Sequence, residues 1–576
     1  PAVESVRIFS PSPVKRYQVR LRMEGATPRF EAYNGWIASV RSVPGGVELT
    51  VDGADPQPPG SNDATIVKVR SPKGTFSFIP SDAGRGPMYV PDFGAYISRA
   101  DDATPLSSDL VRKGARIRER IETEPDHSYE RASREIPALD PVERSGGRLM
   151  LILAPEASWQ KFGLEWGGNV VISKRGTKAK GNELRRLTWP GDAISWRIGT
   201  GETPSFREAA ADSTLSQLDD YLPVGIARWR AGELDYEEEA FATLLAGPLS
   251  PEDQRRSEQT PAVLLARLRV RNPASGAREA HVWLAMRPGE PLEFSGAFLT
   301  AEAGRDVRAH VRAPAGASAR LSTCRDGNET VPALHLRIPV SAGGQTQIDF
   351  AIPFVPGLSG TERKALASLS YDSERNRVAA HWRSVTDKAV PFETPEPRFN
   401  SFARGLVARI RLSVTKDPSS GLYMVPAASY RYQVYANEAA FQCQLLDVFG
   451  QHDLSGKYLQ THVALQGSKP LAGSYAGDQK GVYHGVRVNE EYDYTATYPY
   501  NLDHGALLWT LAEHYFFSRD RSWLVRVAPS MKRASDWIIE QRALTRVKAA
   551  SGEPCPEFGL LPAGHLEDNN DWGHWF

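Results

Sequence analysis

The sequence predicts a multidomain protein in which a large antiparallel β-sandwich region precedes an α-helical region. Up to about residue 390, short runs of β-branched and aromatic residues alternate with Gly, Pro, Asn and Asp turns. Beyond residue 397, apolar residues recur with the 3.6-residue period of a helix. The segment between them, Pro391-Phe-Glu-Thr-Pro-Glu-Pro397, is rich in proline, which blocks both a helix and a central strand. These patterns define three regions, 1–390, 391–397 and 398–576.

The predicted strands of the first region are short runs bounded by turns. Leu265-Ala-Arg-Leu-Arg-Val-Arg271 places Leu and Val on one face and Arg on the other, the alternation of a half-buried strand. About 390 residues is large for one ordinary sandwich, so we expect either a two-sheet supersandwich with insertions or two sandwiches in tandem. An exposed charged helix is expected as an insertion near residues 110–135. The predicted strands are Ser5–Phe9, Tyr17–Met23, Val47–Val51, Thr65–Val69, Arg148–Leu153, Ala193–Ile198, Ala262–Val270, Ala280–Ala285 and Thr346–Ile352.

Five helices are predicted after the proline-rich segment, each from an apolar face of helical period. The second is expected to end at Gly450 and the fifth to bend at Pro529. A sixth helix is expected to open at Trp572–Phe576. The five apolar faces are Phe399–Ile410, Ala439–Phe449, Leu454–Leu465, Leu507–Tyr515 and Trp523–Ile538.

The composition of the chain limits the kinds of molecule that it is expected to bind. The chain has 576 residues, more than one core normally accommodates. Its 69 basic and 69 acidic side chains cancel, which disfavours nucleic acid and anionic membranes as partners. No apolar stretch approaches the roughly 20 residues needed to span a bilayer. The balance favours a neutral substrate, and we expect an oligosaccharide or polysaccharide on the grounds given below.

Cofactor and metal motifs are missing from the sequence. There is no GxxxxGK[ST] loop, no HExxH helix and no convincing GxSxG elbow. Cys324, Cys443 and Cys555 are far apart, which suggests buried thiols rather than a disulfide framework or a zinc site. His565, Glu567 and His574 have neither a fourth ligand nor helical spacing, so no metal is predicted.

The start of the chain leaves its location open. The first residue is Pro1 rather than Met, so we expect an upstream segment such as a secretion signal. The location is therefore unknown from the sequence, with a periplasmic or extracellular one slightly favoured.

The segment from Gly559 to Phe576 is the leading candidate for chemistry. Glu567, Asp568 and Asp571 stand beside indole rings in a glycine-punctuated stretch. A sugar-cleaving site needs a proton donor of raised pKa and flat surfaces on which pyranose rings stack. The alternative is a solvated acidic loop. The substrate-binding candidates in this segment are His565, Trp572 and Trp575.

A second polar cluster lies in the long connection between the third and fourth helices. Connections of this length are usually functional or disordered, and this one is too aromatic for disorder. We expect it to line the same mouth, with Arg431 before the second helix as a further candidate. Two members have structural alternatives, because Asp503 is also suited to an N-terminal cap and His504 to a packed position. The candidates are Glu490, Glu491, Asp493, Tyr498, Asp503 and His504.

These residues carry a resemblance to a known superfamily. Tyr435-Ala-Asn-Glu-Ala-Ala-Phe-Gln442 with Phe449-Gly450, Tyr458-Leu459 and Gln466-Gly467 resembles the first helical hairpins of the six-hairpin glycosidase superfamily. Tyr500-Asn-Leu-Asp-His-Gly505, Leu508–Tyr515, Asp520-Arg-Ser-Trp523 and Gly559-Leu-Leu-Pro562 look like its next stretch. The resemblance covers residues 396–576 in detail. It implies an (α/α)6 barrel behind an N-terminal β-sandwich.

The resemblance also implies an incomplete barrel. Twelve helices are needed, and five with the opening of a sixth are predicted, so the chain is expected to be truncated mid-barrel, with the C-terminal half as its missing partner. In glucoamylase-like members the general acid lies between helices five and six and the general base after helix eleven. The acidic segment occupies the first position, and the base is expected beyond Phe576.

The function implied is that of a glycoside hydrolase using general acid and base catalysis with inversion. Glu567 is the first choice for proton donor and Asp571 the second, with Asp568 as their neighbour. Asp571 is equally suited to capping the sixth helix. The alternatives are a polysaccharide lyase, for which Tyr498 and His504 are candidates, a glycoside phosphorylase on the same toroid, and a non-catalytic carbohydrate-binding protein.

Overall fold

The chain divides into two compact units, residues 1–136 and 137–576. The computed structural model describes residues 3–5, 14–23, 28–53, 64–102, 116–117, 150–172, 194–206, 213–395, 397–417, 420–426, 434–488, 494–495, 500–566 and 572–574. Each unit has its own hydrophobic core. The predicted order, antiparallel β followed by α, is confirmed.

The first unit contains a four-stranded and a six-stranded sheet. Their strand orders are β1-β3-β6-β7 and β10-β8-β9-β2-β5-β4. Buried apolar side chains such as Leu49, Val51 and Phe78 form its core. The strands are β1 Val3–Ser5, β2 Lys15–Arg22, β3 Arg29–Tyr33, β4 Gly35–Val43, β5 Gly46–Gly53, β6 Ile66–Ser71, β7 Gly74–Phe78, β8 Met88–Val90, β9 Ala95–Arg99 and β10 Arg116–Ile117.

The charged helix expected near 110–135 falls mostly outside the described residues. Arg116–Ile117 is described, and it forms a short strand that pairs in parallel with Met88–Tyr89 of β8. At those two residues, pairing at a sheet edge replaces the expected helix. Elsewhere in 110–135 the helix stays a prediction.

The second unit begins with two eight-stranded sheets. Their orders are β11-β12-β13-β14-β20-β25-β24, with β15 paired to β14, and β16-β17-β18-β19-β26-β23-β22-β21. The β region is therefore built from two sets of sheets in tandem. The strands are β11 Leu151–Leu153, β12 Phe162–Leu164, β13 Val170–Ile172, β14 Ile194–Thr200, β15 Ser205–Phe206, β16 Ser213–Gln217, β17 Val224–Ala231, β18 Leu234–Leu244, β19 Ala262–Arg271, β20 Arg278–Arg287, β21 Glu293–Ser295, β22 Phe298–Ala301, β23 Asp306–Arg312, β24 Ser318–Asp326, β25 Glu329–Val340 and β26 Gln345–Pro353.

Two helices precede the proline-rich segment, where the sequence predicted only β structure. They are α1, Gly360–Ser368, and α2, Tyr371–Thr386. A capping box begins α1: the Ser359 hydroxyl accepts the Glu362 N–H at 3.3 Å, and the Glu362 carboxylate accepts the Ser359 N–H at 2.8 Å. The Ser-x-x-Glu spacing was therefore the signal in the sequence.

The alternation of Leu and Val with Arg predicted that β19 is buried on one face only. In the structure, helix α2 covers its arginine face as well. Arg267 donates to Asp349 and to Asp372, each at 2.7 Å, and its guanidinium lies 4.0 Å from the ring centroid of Tyr371. Leu268 and Val270 pack in the core on the other face. This part of β19 is therefore covered on both faces.

The remaining helices follow the five predicted apolar faces. They are α3 Pro397–Ser413, α4 Ala436–Val448, α5 His452–Ala464, α6 Asn501–Ser518 and α7 Arg521–Leu544. Pro397 stands at the first position of α3, where its missing N–H costs nothing. Gly450 follows α4 with a φ of 72°, and Pro529 lies inside α7. Short two-stranded ladders lie among them: β27 Thr415–Lys416 with β28 Tyr423–Met424, β29 Arg487–Val488 with β30 Tyr494–Thr495, and β31 Gly564–His565 with β32 Trp572–Gly573.

The sixth helix expected to open at Trp572 is not present at Trp572–Gly573. These residues pair instead with Gly564–His565, so that Gly573 faces Gly564 and Trp572 faces His565. Glycine is a poor helix former, which favours the ladder at this point. Gly564 also has no room for a side chain, because a Cβ there would lie 2.4 Å from the Tyr475 hydroxyl.

A buried ion pair holds the helices against the sandwich of this unit. Glu156 accepts from Arg411 Nε of α3 at 2.7 Å and bonds His381 Nε2 of α2 at 2.8 Å. Burial favours the neutral acid, but the His381 hydrogen bond and the Arg411 charge outweigh it and hold the pKa of Glu156 below its usual value. Lys161 donates to the carbonyl of Leu412 at 2.9 Å, at the C-terminal end of α3.

Candidate active site

The N-terminal ends of α4 and α6 meet beside the β31–β32 ladder, and we call this region the mouth. Tyr435 precedes α4 and Tyr500 precedes α6, each as the N-cap residue. Their rings are stacked, with centroids 6.0 Å apart and an interplanar angle of 22°. The mouth therefore carries an aromatic pair at the start of two helices.

The buried side chain of Asp503 connects the N-terminal ends of α4 and α6. Its Oδ1 accepts the N–H of Asn437 at 2.9 Å, and the backbone N–H groups of Ala436, Gly485 and Tyr500 favour the ionised form of this carboxyl. The side chain is fully buried, and burial raises its pKa to about 7 in spite of these donors. Asp503 therefore satisfies free N–H groups at the start of α4, as an N-terminal cap does.

His504 is a packed core residue. Its Nδ1 accepts the N–H of Tyr483 at 3.0 Å, and its Nε2 donates to the carbonyl of Ala534 at 3.3 Å. The ring meets Trp537 edge to face, and burial lowers its pKa to about 4. A neutral imidazole with both nitrogens engaged is neither an accessible acid nor an accessible base. The packing of Asp503 and His504 supports the structural alternatives named for them, an N-terminal cap and a packed position, and their substrate-binding role stays a prediction.

The residues on either side of the acidic segment are attached to the mouth. The carbonyl of Leu566 accepts the N–H of Leu502, in the first turn of α6, at 3.4 Å. Trp572 pairs with His565, whose N–H bonds the carbonyl of Ala472 at 3.3 Å. Both chain ends of the segment 567–571 are thus fixed beside the N-terminal end of α6.

Most of the predicted site residues lie outside the described part of the chain. Half-buried His565 is described, as is the backbone of Trp572. The residues outside are Arg431, Glu490, Glu491, Asp493, Tyr498, Glu567, Asp568, Asp571 and Trp575. Their roles stay predictions.

The structure adds three polar residues to the mouth that sequence reasoning did not select. Tyr475 donates to Asn501 Oδ1, and the amide nitrogen of Asn501 is buried with no hydrogen-bond partner among the described residues. Glu438 stands in the first turn of α4, where a carboxylate is favoured by the helix dipole. The sequence feature that could have identified Glu438 is its position at the start of an apolar helical run, four residues after Val434.

The described residues hold no group of three or more His, Cys, Asp or Glu side chains arranged to bind a metal ion. Of their helices, none combines the length and apolar character that a membrane span requires.

Comparison with known proteins gives structural neighbours only. No protein-family model matches the chain, and no curated protein matches it. A bacterial glucoamylase complexed with acarbose aligns with a TM-score of 0.30 and 10% identity over 70% of this chain and 68% of its own. The GH92 α-mannosidase of Bacteroides thetaiotaomicron aligns with a TM-score of 0.25 and 11% identity, over 73% of this chain and 66% of its own. A rhamnosidase from Klebsiella oxytoca with rhamnose bound aligns with a TM-score of 0.24 and 11% identity, over 66% of this chain and 60% of its own.

Proposed function

We propose that the protein is a glycoside hydrolase that cleaves a glycan at the mouth by general acid and base catalysis, with inversion. The observation that carries the proposal is the attachment of the residues on either side of the acidic segment. Leu566 is bonded to the first turn of α6 and Trp572 is paired with His565, which supports a role at the mouth for the three carboxylates between them. The half-buried ring of Tyr500, stacked on the buried ring of Tyr435, supports an aromatic surface of the kind that pyranose rings contact.

Glu567 is proposed as the proton donor. Three carboxyl groups within five residues do not all ionise freely, because each negative charge raises the pKa of its neighbours. One of them therefore keeps its proton near neutral pH, the state that an acid catalyst needs. Asp571 is the second choice and Asp568 the neighbour that raises the pKa. Trp572, Trp575, His565 and Arg431 are proposed to contact the sugar.

The connection between α5 and α6 is proposed to contribute the outer wall of the mouth. Glu490, Glu491, Asp493 and Tyr498 are its polar members. The lyase alternative needed Tyr498 and His504 as an acid and base pair. The burial and the two hydrogen bonds of His504 speak against that pair, so the hydrolase is preferred.

The test is the leaving-group dependence of Glu567→Gln in the full-length protein. Glutamine is nearly isosteric with glutamate, so substrate binding should be kept while the proton is lost. Turnover of the natural glycan should fall by roughly 10² to 10⁴-fold. An aryl glycoside with an activated leaving group hardly needs that proton and should lose much less. Steady-state kinetics on both substrates measure the difference.

Asp571→Asn is the matched control. If Asp571 only caps a helix, the variant loses about 1 kcal/mol of stability and treats both substrates alike. Near wild-type turnover of the natural glycan by Glu567→Gln would rule out Glu567 as the acid. Leaving-group dependence in Asp571→Asn would move the role to Asp571.

A further inference from the structure

A polar cavity lies at the far end of α4 from the mouth. Its volume is about 420 Å³, within the range of small-molecule sites. It is lined by the turn from α4 to α5, by the region after α2, by α3 and by a loop of the sandwich. Helix α4 has 13 residues, and a helix rises about 1.5 Å per residue, so its C-terminal end beside the cavity lies about 20 Å along the helix from Tyr435. Its charged lining residues are Glu252, Lys388, Arg411, His452, Asp453 and Lys457.

A histidine fixed by a buried carboxylate lies in the wall of this cavity. His452 Nδ1 donates to Asp447 Oδ1 at 2.9 Å, and Asp447 is 2% exposed. The same carboxylate bonds His514 Nδ1 and the Ser455 hydroxyl, at 2.9 and 2.8 Å. The Nδ1–H bond leaves Nε2 of His452 as an acceptor, and among the described residues it has no partner. The proposed catalysis makes no use of this group.

The charges around the cavity are mixed. Lys457 pairs with Glu252, and Arg411 pairs with Glu156 and donates to Gln451 Oε1 at 3.4 Å. Lys388 is exposed and has no ion-pair partner among the described residues. Asp453 adds a second carboxylate to the lining. Neither sign prevails, which disfavours a phosphate or a metal ion, whereas the lining offers both donors, such as Lys388, and acceptors, such as Asp453, to a sugar hydroxyl that donates and accepts.

We propose that this cavity is a second carbohydrate site, which binds a neutral mono- or disaccharide away from the mouth. His452 Nε2 accepts a hydroxyl hydrogen of the sugar, and the Lys388 ammonium donates to a hydroxyl oxygen. Asp453 accepts from a neighbouring hydroxyl. The site does not depend on the catalysis proposed for Glu567.

Isothermal titration calorimetry on this chain tests the proposal, with glucose, galactose, mannose, xylose and maltose as probes and inorganic phosphate as the anionic comparison. At least one neutral sugar should bind. Lys388→Ala and His452→Phe should each weaken that binding at least tenfold, the second because phenylalanine keeps a ring but has no acceptor. The control Lys548→Ala removes an exposed lysine that does not line the cavity, so it should leave sugar binding unchanged.

Trp572→Ala separates this site from the mouth, because it removes an indole that is proposed to contact the sugar there. Binding at the cavity should persist in that variant, whether or not the proposed catalysis is correct. The proposal is overturned if none of the sugars binds, if phosphate alone binds, or if sugar binding is lost in folded Trp572→Ala and kept in folded Lys388→Ala and His452→Phe. Circular dichroism establishes that each variant is folded.

Discussion

At the scale of single residues, Glu238 is an acid buried in the sandwich of the second unit. It lies on β18 between Tyr236 and Ala240, which face the same core. The turn at Gly168 covers it so closely that a Cβ there would lie 1.9 Å from Glu238 Oε2. Neither carboxyl oxygen has a hydrogen-bond partner among the described residues. Burial raises the pKa of Glu238 to about 8, so the side chain is neutral at pH 7.

This pKa predicts a loss of stability as the pH rises. The folded-state pKa lies above the unfolded one, so the unfolded chain releases its proton first, and the stability lost is about 1.4 kcal/mol per pH unit between roughly pH 4.5 and 8. Glu238→Gln cannot ionise and should lack this loss. The melting temperature of the wild type should therefore fall relative to that of the variant over this interval, as scanning calorimetry would measure.

Glu237→Gln is the control for Glu238→Gln. Glu237 is the preceding residue on β18, points to the opposite face and pairs with Arg228 and Arg269 at 2.7 Å each. It should not reproduce the relative change with pH. Parallel curves of melting temperature against pH for the wild type and Glu238→Gln would contradict the assignment of a raised pKa.

At the scale of elements, α2 and α3 share one buried carboxylate of the sandwich, that of Glu156. The Glu156 side chain is fully buried, and the Arg411 side chain opposite it is 11% exposed. Removing one partner of a buried pair leaves an uncompensated charge, which costs about 3 to 5 kcal/mol. The contact thus matters more to stability than a surface ion pair of the same geometry.

Glu156→Gln should accordingly lower the free energy of unfolding of the second unit by a few kcal/mol. Urea denaturation followed by tryptophan fluorescence measures it. The matched variant is Asp219→Asn, which breaks the pair with Arg383, whose side chains are 40% and 43% exposed. That loss should be no more than about 1 kcal/mol. Equal effects of the two substitutions would show that burial does not set the strength of the Glu156 pair.

At the scale of the whole molecule, the two units should respond separately to damage in their cores. Leu49 lies in the core of the first unit and Leu264 in that of the second, and both are buried. A buried Leu→Ala substitution costs about 2 to 5 kcal/mol. Leu49→Ala should therefore lower the transition of the first unit alone, and Leu264→Ala that of the second. Scanning calorimetry that shows one shared transition moved by both variants would refute separate folding.

The sequence by itself determined the order of β and α structure and the positions of α3 to α7. These follow from periodicity, which is a local property: an apolar residue every 3.6 positions places one face of a helix against a core wherever that core lies. The same pattern gave β19 its alternation. It did not show that α2 covers Arg267, because what packs on the second face of a strand is set by a distant segment.

Only the tertiary structure decided what the polar residues of the helical region do. Asp503 and His504 were selected for their chemistry, and the structure buries both, with hydrogen bonds to Asn437 and Tyr483 in other parts of the chain. Trp572 was assigned to a helix from its neighbours, and pairing with His565 placed it in a ladder. Hydrogen bonds between residues far apart in sequence leave no local pattern, so burial and pairing become known only when the chain is folded.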